Sequence, residues 1–127
     1  MTVSAAIRAA EKLLPGRPAP DGATDPRWQA IIAVSEFIEA EPEPVLEFAK
    51  RWGSHEQEDL RAAIATCILE HLLEHHFDLL FPRIEAAARE NVRFMDTLGQ
   101  CERFGQSLIP KNASRLDRLI KETHRAS

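Results

Sequence analysis

Two cysteines in 127 residues, Cys67 and Cys101, are too few for the disulfide framework on which small secreted scaffolds rely, so reduced and buried thiols are expected. Tyrosine is absent, and tryptophan and phenylalanine together make up 6% of the chain, so any core must be mainly aliphatic. Five glycines include no Gly-rich phosphate loop. Long apolar runs are also missing. The stretch "AIATCIL" at 63–69 is stopped by Glu70, far short of the roughly 20 residues that cross a bilayer. The opening "MTVSAAIRAAEKLL" carries Arg8, Glu11 and Lys12, which interrupt the apolar stretch of a signal peptide, and the expectation is a cytoplasmic protein with no membrane partner. No segment alternates apolar and polar residues for the length of a strand, which excludes a sheet.

What is present is charge, unevenly spread. The net formal charge is −4. Residues 1–110 hold 11 Lys and Arg against 18 Asp and Glu, whereas residues 111–127 hold five against two. Such a body repels nucleic acid, because binding there is driven by neutralising phosphates. The basic end reads as a solvated helix face.

Apolar residues recur every three and four positions, which predicts an all-α fold of about seven helices in antiparallel hairpins, forming one domain over 1–127. The first helix is expected over Thr2–Leu14 with Ile7, Ala10, Leu13 and Leu14 inward. An irregular connection, 15–24, follows at "PGRPAP" and "DGAT". Asp25 or Thr24 caps a second helix, with Pro26 in its first turn, where a missing N–H costs nothing. That helix carries Trp28, Ile31, Val34, Phe37 and Ile38 to "EPEP". Pro44 opens a third helix that Gly53 closes. Ser54 and Gln57 have capping-box spacing before a long fourth helix reaching about His76. Asp78 caps a fifth with Pro82 in its first turn, a sixth spans about Asn91–Phe104, and a basic C-terminal helix covers about 113–125 with Leu116, Leu119 and Ile120 on one side.

Two of these helices repeat. A shift of 34 residues places Asp25 on Asp59, Arg27 on Arg61, Glu36 on Glu70, Ile38 on Leu72, and Val45–Leu46 on Leu79–Leu80. A second shift aligns Ala30, Ile64 and Leu98, and also Ala33, Cys67 and Cys101, but puts Arg93 and Met95 where Asp and Arg stood. Two helices per unit of this length mark stacked hairpins that share a core. The Asp-x-Arg openings of "DPRWQAIIAV" and "DLRAAIATCI" resemble HEAT repeats and the related armadillo group, over about residues 25–106. That resemblance implies a short α-solenoid or compact bundle in which Asp25, Arg27, Asp59 and Arg61 link neighbouring units through hydrogen bonds, and a protein-binding role in place of catalysis.

Three groups of residues remain as candidate sites. "HLLEH" at 71–75 fits the H-x-x-E-H pattern of one group of zinc peptidases, and Cys67, His71, Glu74 and His75 are zinc-ligating types on adjoining turns; because one helix rarely supplies all four ligands, a partner such as His55 or Asp78 would have to help. The shift of 34 residues instead puts Cys67 on Ala33 and His71 on Phe37, ordinary packing positions, so the repeat explains their placement without a metal and no cofactor is expected. Those peptidases are large α/β proteins, and the segment after His75 is too short to hold that scaffold. Trp28 and Trp52 each follow an arginine and can either seal a helix interface or anchor a partner. Glu36, Glu39, Glu41, Glu43 and Glu47 form an acidic patch around "EPEP", suited to a basic protein partner. The expected function is thus a non-enzymatic interaction module, acting as a monomer or homodimer. One narrower form is an immunity or antitoxin-type inhibitor of a basic toxin. The rival reading is a metal-binding protein or metal-dependent enzyme built on Cys67, His71 and His75.

Overall fold

The computed structural model describes the backbone of residues 1–126 and the side chains of residues 1–122. Among them the structure is all-helical, with no strand. The elements are α1 (Val3–Leu13), α2 (Pro26–Ser35), α3 (Pro42–Trp52), α4 (Glu58–Ile64), a π-turn (Ala65–Leu69), α5 (Glu70–His75), α6 (Phe77–Glu90), α7 (Val92–Gly99), a 3₁₀ turn (Gly105–Leu108) and α8 (Pro110–Ala126). Because α4, the π-turn and α5 run on without a break, the described residues form seven helical rods.

The rods lie in two rows. α1, α3 and α6 touch in succession along one row, and α2, the α4–α5 rod and α7 along the other, so that α1 with α2, α3 with α4, and α6 with α7 form hairpins. α8 covers α7 and the 3₁₀ turn. One aliphatic core runs through the whole stack from Val3 to Leu119. Phe77, Phe81 and Phe94 are its fully buried aromatics. No single hairpin could close such a core alone, which is why the units stack.

Local chemistry sets the helix ends, in several places differently from the sequence expectation. The Thr2 side chain caps α1, which stops at Leu13, and Leu13 points outward while Leu14 is buried. Asp25 caps α2 as expected, but α2 ends at Ser35, and Phe37 and Ile38 fall in a turn over 36–40. Pro42 rather than Pro44 starts α3, because the first of the two prolines already has the fixed φ and missing donor that suit position N1. Gly53 does follow α3, with φ −71° instead of a left-handed value. Its lack of a side chain is needed for close packing, since a Cβ there would lie 3.2 Å from Phe94 Cδ1 and 3.3 Å from Ile64 Cγ2.

The capping box does not form. Ser54 Oγ donates back to the Lys50 carbonyl at 2.7 Å, and Gln57 turns its side chain to Gly16 and Arg27. Asp78 does not cap α6 either. The helix begins at Phe77, whose N–H donates to Gln106 Oε1 at 2.8 Å, and Pro82 sits beyond the first turn. The sixth helix is cut short at Gly99, while the last begins early, at Pro110. Among the described residues no helix is long and apolar enough to cross a membrane.

Candidate interaction surface

Successive units are tied along the row of α2, the α4–α5 rod and α7 by a ladder of aspartates and arginines. Arg27 is buried, and all five of its N–H donors are used. Nε and one NH2 proton go to Asp25, NH1 reaches the Pro15 carbonyl at 3.0 Å and Gln57 Oε1 at 3.1 Å, and NH2 also reaches Asp59 Oδ2 at 2.5 Å. Arg61 takes the same place one unit on, donating to Asp96 Oδ2 at 3.1 Å and to the carbonyls of His55 and Glu56. The guanidinium beside Asp25 holds its carboxyl below the usual aspartate range, and the Asp25 carboxylate in turn raises Arg27. Asp96 was missed by the 34-residue shift, which lands on Arg93. Three residues further along a helix is the same face one turn later, so Asp96 serves where the register pointed to position 93. The connection 15–24 is held by the same hub, through Pro15, Gly16 and the Ala19 N–H, which donates to Asp25.

At the other end of the α4–α5 rod the π-turn changes what faces inward. The Glu70 N–H reaches back five residues to the Ala65 carbonyl. This extra residue in the turn rotates α5 relative to a regular helix. Glu70, which regular 100° steps would place opposite the core, is therefore 6% exposed. Its Oε2 accepts from the Glu102 N–H at 2.8 Å, and burial pushes its carboxyl above the ordinary range.

His71 and His75 lie along the rim, about 38% and 39% exposed. Glu74 Oε1 is 2.8 Å from His71 Nδ1 and 3.5 Å from His75 Nε2, and the His71 ring stacks on Phe104 at 5.8 Å. His71 is thus not a core residue, although the alignment with Phe37 suggested one. Phe37 is itself only half-buried in its turn. Cys67 and Cys101 are free thiols packed partly against the core, and burial raises both. Among the described residues no three His, Cys, Asp or Glu side chains are placed to hold one metal ion. Of the two proposed helpers, His55 accepts from the Gln57 N–H and packs on Trp52, and Asp78 is fully solvated near Arg115.

The acidic patch is resolved into two parts. Glu43 and Glu47 are partnered by Arg83, at 3.6 and 2.6 Å, and Glu47 also by Lys50 at 3.5 Å. Glu36, Glu39 and Glu41 are exposed on the α2–α3 turn. The turn is flanked by two depressions. One, about 310 Å³, is lined by Ser35, Glu36, Ile38, Glu39, Cys67, His71 and His75. The other, about 380 Å³, lies among Ala40, Pro42, Pro44 and Leu79, with Glu41 and Glu43 at its edge, and Leu79 is 55% exposed there. Neither tryptophan joins this surface. Trp52 is buried, with Arg51 over its ring at 4.9 Å, and so offers no anchor to a partner, while Trp28 is half-buried against the core. Leu79, which sequence reasoning had used only as a repeat position, is the apolar residue the surface does expose.

Comparison of the chain with protein-family models, with curated proteins and with solved structures finds no match.

Proposed function

We propose that this chain is a non-enzymatic protein-binding module of the HEAT-like helical-repeat type, and that it docks a basic partner on the α2–α3 turn. The HEAT-like part of the reading is supported by the arginine–aspartate ladder, in which Arg27 joins α2 to Asp59 of α4, and Arg61 joins α4 to Asp96 of α7. The docking part rests on one observation. Glu36, Glu39 and Glu41 stay exposed between two depressions, whereas Glu43 and Glu47 are already matched by Arg83. Exposed charge of one sign with no lysine or arginine partner among the described residues, beside concave surface, steers a partner of the opposite sign and sets its register.

The reading is tested by capture on immobilised protein, comparing wild type with the charge-reversed Glu36→Lys/Glu39→Lys/Glu41→Lys variant. The expected partner is a basic protein that is retained by wild type, released at about 0.5 M salt, where screening acts within a few ångströms, and lost on the variant. Capture unaffected by both salt and charge reversal would refute it. A toxin-neutralising role is the narrower form of this reading, distinguished by whether the captured protein is toxic when expressed alone. The metal reading is less well supported, because His71 Nδ1 is already hydrogen-bonded to Glu74 and, among the described residues, no three His, Cys, Asp or Glu side chains are grouped to hold one ion.

A further inference from the structure

Three of the chain's five histidines, His71, His75 and His76, stand at one place, the end of α5 beside the α2–α3 turn. Their surroundings form an alternating row of carboxylates and imidazoles. His71 lies between Glu70 and Glu74, with Nε2 3.6 Å from Glu70 Oε1 and Nδ1 2.8 Å from Glu74 Oε1. His75 lies between Glu74 and Glu39, at 3.5 and 3.6 Å, and so bridges two units of the stack. His76 Nε2 donates to the Glu39 carbonyl at 3.2 Å. Glu39 thus meets one imidazole at its side chain and another at its backbone.

The other groups facing this row are acidic or neutral. Glu36 from the turn and Cys67 from the π-turn line the same cleft, the Glu102 N–H donates to Glu70, Gln106 donates to the His75 carbonyl, and the His71 ring stacks on Phe104. On α6, Asp78 is solvated near Arg115, and Arg83 is engaged with Glu43 and Glu47. No lysine or arginine lines the cleft. The positive charge at this corner therefore depends on imidazoles, the side chains that gain a proton between about pH 8 and 5, while exposed carboxylates stay ionised over that window. Once both rings are charged, Glu70 and Glu74 answer His71, which leaves the charge on His75 to Glu39.

We propose that this cluster is a pH-operated clasp on the docking turn: protonated, His75 and His76 fasten Glu39 to the α5–α6 junction and cancel charge that the turn otherwise offers a basic partner. This rests on the docking reading above and adds its regulation. An ion pair made only by the protonated imidazole contributes in mild acid and is lost as pH rises through the histidine range. Docking is accordingly stronger above that range than below it.

Two measurements on the full chain test the clasp. The first is a double-mutant cycle of His75→Gln and Glu39→Gln, followed by urea unfolding at pH 5.5 and 8.0. Glu70, raised by burial, adds its own gain on acidification, so the coupling between the two residues is the quantity read and not the total stability. The expected coupling is about threefold in the unfolding equilibrium constant at pH 5.5, the scale of an exposed ion pair, and none at pH 8.0. Equal coupling at both pH values, or none at either, overturns the clasp and leaves the docking surface intact. The second measures binding of an N-acetylated octalysine peptide, whose charge is constant over this range, to wild type and to His71→Gln/His75→Gln/His76→Gln, with circular dichroism checking the fold. Wild type should bind about tenfold more weakly at pH 5.5 than at pH 8.0, the sum of three modest surface contacts, and the triple variant equally at both. A variant that keeps the full pH dependence overturns the regulation. No binding of the peptide at pH 8.0 overturns the docking reading, and its regulation with it, whatever the cycle shows.

Discussion

Replacing Arg27 by methionine removes five hydrogen-bond donors and one buried charge while keeping an apolar stem of similar length. Four partners are affected. Asp25 retains the N–H groups of Arg27 and Ala19 but loses its counter-ion in a half-buried setting, and the Pro15 carbonyl loses its donor. Gln57 still reaches Gly16, and Asp59, being 37% exposed, can turn to water. Breaking a fully buried pair costs about 3–5 kcal/mol, and an unsatisfied buried polar group about 1–3 kcal/mol. Because Asp59 rehydrates, the expected loss is about 2–4 kcal/mol, a large share of the 5–15 kcal/mol typical of a domain. For a chain of this size that lowers Tm by roughly 10 °C. Urea unfolding followed by circular dichroism measures it. A double-mutant cycle with Asp59→Asn isolates the inter-unit bond, whose coupling should be about 1 kcal/mol or more. Arg61→Met should cost less, about 1–2 kcal/mol, because its partner Asp96 is 55% exposed. Arg27→Met within 0.5 kcal/mol of wild type, or Arg61→Met costing more than Arg27→Met, would refute the view that this ladder holds the units together.

Two further outcomes follow from the rod that carries the π-turn. Glu70 has its carboxyl raised by burial. At neutral pH its charged form therefore costs stability, and that cost is relieved as pH falls through the folded value toward the unfolded one near 4.3. Glu70→Gln, which keeps an oxygen for the Glu102 N–H, should be at least as stable as wild type at pH 7 and should flatten the gain on mild acidification. A neutral-pH loss above 1 kcal/mol in thermal melts would show that the ionised form is stabilising. Gly105 has φ +50°, and a Cβ there would lie 2.7 Å from Glu74 Cγ and 2.9 Å from the Glu74 carbonyl. Gly105→Ala should thus destabilise by about 1–3 kcal/mol, and a change below 0.5 kcal/mol in urea unfolding would contradict that contact.

Much of this molecule can be read without coordinates, because period and punctuation are local. Apolar spacing of three and four, Asp25 before Pro26, and Gly53 after Trp52 define helices and ends through backbone chemistry that each segment carries itself. The Asp-x-Arg pattern at 25 and 59 likewise marks the residues of the ladder, since corresponding positions of stacked units meet at corresponding places. Other features depend on which neighbour wins a group. Gln57 gives up its cap for Arg27 and Gly16, 30 and 41 residues earlier in the chain, and Phe77 takes its N-terminal partner from Gln106. The acidic run around "EPEP" reads as one patch in one dimension, yet Arg83 from α6 pairs with two of its five glutamates, Glu43 and Glu47, and leaves Glu36, Glu39 and Glu41.

Composition and periodicity by themselves determined an all-helical chain with an aliphatic core and no membrane-spanning helix, because burial and hydrogen bonding at that scale follow from residue spacing alone. Only the tertiary structure decided that Glu70 turns inward, that Trp52 is covered, and that His71 and His75 line a cleft opposite Glu36 and Glu39. Those outcomes follow from a π-turn that rotates one face and from side chains meeting across units more than thirty residues apart, and neither is written in the local pattern.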